Sequence, residues 1–139
     1  MVQLITGKKG KGKTKVLLDK VNKEVKELDG NVVYLDKNKS HMFELNNKIR
    51  LIDVCEYNIE NGDQFLGFVT GIISQDHDLQ KMYLDCFLNI AAVDEAGAVQ
   101  VINKLDNVSK ASNVDFVIGV SIDSDNIPEE IKDKVVEAL

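Results

Sequence analysis

Eight consecutive residues, Gly7-Lys8-Lys9-Gly10-Lys11-Gly12-Lys13-Thr14, have the types and spacing needed to hold a polyphosphate. They fill the pattern G-x-x-x-x-G-K-[ST] completely. Gly7, Gly10 and Gly12 let the backbone turn tightly with its N–H groups inward, making a nest for phosphate oxygens. Lys13 is placed to reach the β- and γ-phosphates of a nucleoside triphosphate, and the Thr14 hydroxyl to be one ligand of the accompanying Mg2+. Gly7 through Thr14 is therefore the expected binding segment. Lys8, Lys9 and Lys11 exceed what the pattern requires, and serve either as a solvated basic rim or as contacts for a second anionic partner.

Such chemistry also calls for a carboxylate on the magnesium side, at the end of a second apolar strand. Asp36, Asp53, Asp85 and Asp94 all follow apolar runs. Asp94 and Glu95 are accounted for as the start of a helix, one as N-cap and the other in the first turn. Asp85, after Met82-Tyr83-Leu84, is the preferred metal-side residue. Cys86 follows it where a water-activating glutamate could stand, so fast hydrolysis is not expected. Ser121 and Asp123 approach the γ-phosphate only if the strand before them lies beside the first.

Two short matches point toward guanine nucleotides: Asp94-Glu95-Ala96-Gly97 fits D-x-x-G and Asn103-Lys104-Leu105-Asp106 fits N-K-x-D. Each would have to end a different parallel strand, and such strands are joined by a dozen or more residues. The gap from Gly97 to Asn103 is too short for that, so the second match reads as helix surface and adenine is preferred. His41 and His77 have no neighbouring ligands, and Cys55 and Cys86 lack metal or disulfide spacing and read as buried free thiols.

These residues must be positioned by strands and helices in alternation. Val2 to Thr6 reads as a buried strand, and Val16, Leu17, Val21, Val25 and Leu28 mark one face of a helix ending at Gly30. Short strands are expected at 31–35 and 49–52, with residues 37–48 a connection that packs Met42, Phe43 and Leu45 on the core. A second helix starts at Gly62, where Gly67 and Gly71 would allow close backbone packing. Ala98, Val101, Ile102, Leu105 and Val108 mark another helix, and 114–120 is the clearest late strand. A last helix is expected from Pro128, with Ile131, Val135 and Leu139 on one face. The alternation implies a parallel sheet of about five strands covered on both sides, an α/β/α sandwich.

On the glycine loop and this layout, the sequence resembles the P-loop NTPase superfamily. It is similar to small bacterial P-loop ATP-binding proteins labelled twitching-motility (PilT-like). That resemblance implies a nucleotide-binding core with ATP and Mg2+ as ligands.

The remaining composition sets limits on partners. The chain has 139 residues, one proline and 29% charged residues, consistent with one globular domain over 1–139. The net charge is −6, yet residues 1–30 carry eight lysines against Asp19, Glu24, Glu27 and Asp29. One basic pole on an acidic protein suits a phosphate-sized anion better than a duplex, so no nucleic-acid surface is expected. The lysine-rich N-terminal segment holds no apolar stretch for a signal or membrane span, and a cytoplasmic protein is expected. The function read here is a slow Mg-dependent ATPase or nucleotide-dependent switch. Small-molecule phosphotransfer, or a nucleotide-binding module completed by a protein partner or a second copy, are the alternatives. Arg50 is the only arginine, which disfavours phosphotransfer.

Overall fold

The computed structural model describes residues 1–139. Six strands form one sheet: β1 (Val2–Thr6), β2 (Asn31–Asp36), β3 (Ile49–Asp53), β4 (Leu79–Leu84), β5 (Asp115–Val120) and β6 (Val135–Ala138). Their spatial order is β3-β2-β4-β5-β1-β6, and all five pairings are parallel. Four helices accompany them: α1 (Lys13–Glu24), α2 (Gly62–Ser74), α3 (Phe87–Ile90) and α4 (Glu95–Ser112). No helix is long and apolar enough to cross a membrane.

Side chains alternate across the strands and supply two cores. Leu4, Val33, Leu35, Met82, Leu84, Phe116 and Ile118 pack with Phe65, Val69, Ala98, Ile102 and Leu105 of α2 and α4. Ile5, Val32, Tyr34, Tyr83 and Val117 face the other way, onto Leu17, Leu18 and Val21 of α1. Coverage on both faces explains why the strands read as continuous apolar runs. It makes the chain an α/β sandwich of three layers, as expected.

Several local expectations are corrected. The sheet has six strands, because the segment after Pro128 forms a 3-10 turn over Glu129–Lys134 and then β6, in place of a last helix. Ile131 is buried, but Val135 to Ala138 pair with β1. Gly67 and Gly71 face open space; the close approach is at Gly62, where a Cβ would lie 2.7 Å from Val101 Cγ2. Met42 and Phe43 are exposed, the latter 92%, and only Leu45 of that connection packs on the core. Cys55 is exposed and Cys86 partly so, both as free thiols.

The run Ile90 to Val93 is not a strand. It completes α3 and turns through Ala92, whose φ is 54°. Asp94 then caps α4, its Oδ1 accepting from Gly97 N at 2.7 Å. Asn103 and Asp106 lie within that same helix, and Asp106 pairs with Lys110 at 3.1 Å. The D-x-x-G and N-K-x-D matches are therefore the cap and the flank of one helix.

Candidate functional site

Because every strand runs the same way, the carboxyl ends of β1, β2, β4 and β5 share one edge, where clefts of parallel sheets open. The glycine segment leaves β1 at that edge. Gly7, Gly10 and Gly12 have φ of 147°, 88° and 95°, a backbone that L side chains avoid. Gly12 is also the N-cap of α1, so the free N–H groups of that helix point the same way.

Lys13 turns back into the loop. Its Nζ donates to the Gly7 carbonyl at 2.8 Å and to the Lys8 carbonyl at 3.0 Å, and the residue is 7% exposed. Burial pulls its pKa down, while the nearby Asp85 carboxylate pulls it back up.

Asp85 follows β4 and is itself buried. Its Oδ1 accepts from Cys86 N at 2.8 Å and its Oδ2 from the Tyr34 hydroxyl at 2.9 Å. At Cys86 the backbone enters the left-handed region, φ 54°, which ends the strand beneath the carboxylate. Burial, reinforced by Asp85 and Asp36, pushes the Cys86 thiol up to about 12, so it stays protonated at neutral pH.

A cavity of about 390 Å³ lies among these groups. Lys9, Gly10, Gly12, Lys13 and Thr14 form one side of it, and Asp85 and Cys86 contribute from β4. Gly7, Lys8 and Lys11 are not on its walls; Lys8 is exposed and lies 3.4 Å from Asp123, and Lys11 is exposed. Asp94, the competing carboxylate, caps α4 and is not among the lining residues.

Strand β5 does pair with β1, and Ser121, one residue beyond it, reaches the cavity. Asp123 does not: it accepts from Asp125 N at 3.1 Å and turns toward Lys8. The Asp125 N–H and the lysines beside it hold that carboxyl below its usual value.

One wall was anticipated only at Asp36. Asp36, Lys37, Asn38, Ser40 and His41, at and after the end of β2, also line the cavity. Asn22 of α1 ties this segment down, its Nδ2 donating to Glu44 O at 2.7 Å and its Oδ1 accepting from Asn46 N at 2.8 Å. Asp36 is 2% exposed; Oδ1 accepts from Lys37 N at 2.7 Å, but Oδ2 has no hydrogen-bond partner. Burial raises its pKa, partly offset by the Lys37 N–H. The sequence signal was the strand-ending aspartate itself, which Asp53 shares.

No protein-family model matches the chain, and no curated protein matches it significantly.

Proposed function

We propose that this chain is a P-loop NTPase-like protein that binds ATP with Mg2+ in the cavity at the ends of β1 and β4, and acts as a slow ATPase or nucleotide-dependent switch. The observation that carries the reading is that Lys13, Thr14 and Asp85, separated by 71 residues or more in sequence on the carboxylate side, line one cavity with the glycine loop. The backbone N–H groups of the loop and the start of α1 would hold phosphate oxygens. Lys13 would exchange its loop carbonyls for the outer phosphates. Thr14 and Asp85 offer the hydroxyl and carboxylate oxygens that Mg2+ prefers, and the ion would neutralise phosphate charge.

Slow turnover follows from what accompanies these groups. The Cys86 thiol, protonated up to about 12, cannot take a proton from water. Arg50 is exposed on β3, which is a sheet edge remote in strand order from β1. Adenine is favoured over guanine because Asn103 and Asp106, the candidate guanine-reading residues, lie within α4 and do not line the cavity.

Calorimetry with ATP and GTP, with and without Mg2+, tests the reading. Magnesium-dependent ATP binding that Lys13→Ala abolishes is expected. Absence of binding by either nucleotide ends the proposal, and tighter GTP binding lost in Asp106→Asn overturns the choice of base. Turnover well above about one per second, the lower range of ordinary enzymes, would exclude a slow ATPase.

A further inference from the structure

A carboxylate oxygen of Asp36, one of Asp85 and the Cys86 sulfur lie within 4.8 Å of one another. Asp36 and Asp85 end neighbouring strands: Leu35 pairs with Leu84, and Asp85 N continues the ladder to Leu35 O at 2.9 Å. Two carboxylates are thereby fixed side by side by backbone, independently of the loop.

Their charges are not equally compensated. Asp85 accepts from a hydroxyl and an N–H and feels Lys13. Asp36 is buried to the same degree; its Oδ1 accepts from Lys37 N, but its Oδ2 accepts nothing. A buried acceptor without a partner costs about 1–3 kcal/mol, and more when ionised. The fold keeps Asp36 among the residues lining a polar cavity, with one of its carboxylate oxygens within 4.8 Å of one of Asp85, where a cation would satisfy both.

We propose that Asp36 and Asp85 together form a binding site for a divalent cation that fills before any nucleotide arrives. The site shares Asp85 with the proposed ATP site and so rests on that residue's accessibility to the cavity, but not on the nucleotide. Thr14 and Ser121 line the same cavity and add hydroxyl oxygens. An oxygen-dominated donor set selects a hard ion, Mg2+ or Mn2+, over a thiophilic one. A cation held in this way would pre-position the metal at the phosphate end of the cavity and remove the repulsion between the two aspartates.

The test uses Mn2+ and the whole, nucleotide-free protein, with free Mn2+ followed by electron paramagnetic resonance. One ion bound per chain is expected. Asp36→Asn and Asp85→Asn should each weaken it by about tenfold or more, the scale seen when groups around a metal are removed. Asp63→Asn, on the exposed side of α2, should leave it unchanged. Melting provides a second readout: Mn2+ should raise the midpoint of the wild type and not that of Asp36→Asn, which loses a buried charge and should fold.

Wild-type binding of Mn2+ only after ATP is added overturns this site and leaves the proposed function standing. Mn2+ binding without any affinity for ATP does the reverse. Equal Mn2+ binding by Asp36→Asn and wild type removes Asp36 from the site. Preference for Zn2+ that Cys86→Ser abolishes overturns the assignment to a hard ion held by oxygens.

Discussion

Tyr34 and Asp85 are joined across adjacent strands by a 2.9 Å hydrogen bond between two buried side chains. Burial and the Asp85 charge drive the Tyr34 pKa far upward, so its hydroxyl remains a donor at any physiological pH. Removing that donor leaves Oδ2 of Asp85 short of a partner inside the protein. Tyr34→Phe should therefore lower stability by about 1–2 kcal/mol, measured by urea unfolding. It should also weaken magnesium-dependent ATP binding by about tenfold, while binding without Mg2+ changes little. An unchanged affinity with Mg2+ would mean that Asp85 does not need this anchor.

Under the proposed function, Lys13 would set nucleotide binding against stability. Its ammonium is buried, and burial is the largest influence on its pKa, in the downward direction. A base whose pKa falls on folding binds fewer protons in the native state than in the unfolded one as pH climbs toward its ordinary value of 10.5. Stability attributable to Lys13 should thus rise with pH through that alkaline window, and the charged form costs stability below it. Lys13→Met is expected to unfold at a higher urea midpoint at pH 7 and to lose ATP binding altogether. A midpoint lower than wild type would show that its bonds to the Gly7 and Lys8 carbonyls outweigh burial.

What could be read from sequence was local. The glycines, Lys13 and the first strand and helix are adjacent in the chain, so spacing alone gives their order, although α1 ends at Glu24 and not at Gly30 as expected. Asp36 and Asp53 could not be told apart, because both end short apolar strands. Strand order separates them: β2 lies next to β4 and brings Asp36 beside Asp85, whereas β3 is the edge, and Asp53 accepts from Cys55 N at 3.0 Å in the following turn. The final strand was hidden for a related reason. Ile131, Val135 and Leu139 recur at helical spacing, but the partner that makes 135–138 a strand is β1, at the other end of the chain. Ser121 depended on the same long-range fact, that β5 enters between β1 and β4.

Glu24 at the end of α1 should govern stability in acid. Burial pushes its pKa up, but bonds from Lys81, Tyr83 and Lys20 more than offset that and leave it lowered. Tyr83 donates to Oε2 at 2.7 Å, Lys81 donates to the same oxygen, and Lys20 lies 2.9 Å from Oε1. A carboxyl with a lowered folded pKa contributes stability that is present above its ordinary value of 4.5 and lost as pH falls through the folded value. Glu24→Gln should cost about 1–3 kcal/mol at pH 7, and the gap from wild type should close below pH 4.5. Urea midpoints across that range decide it; a gap that stays constant would assign the loss to packing alone.

Gly119 tests how tightly the loop helix is seated over the site. A Cβ at this position of β5 would lie 2.7 Å from Leu17 Cδ1 and 3.6 Å from Asp85 Oδ1. Leu17 is fully buried on α1, one turn after Lys13. Gly119→Ala must therefore lift α1 from the sheet or strain Leu17, at about 1–3 kcal/mol for overpacking. Lifting the helix also moves Lys13 and Thr14 away from Asp85. The expected result is a lower unfolding midpoint together with weaker ATP binding. Gly119→Ala combined with Leu17→Val, which trims the clashing methyl, should recover both. Recovery of stability without recovery of binding would locate the damage at Asp85 and not at the helix.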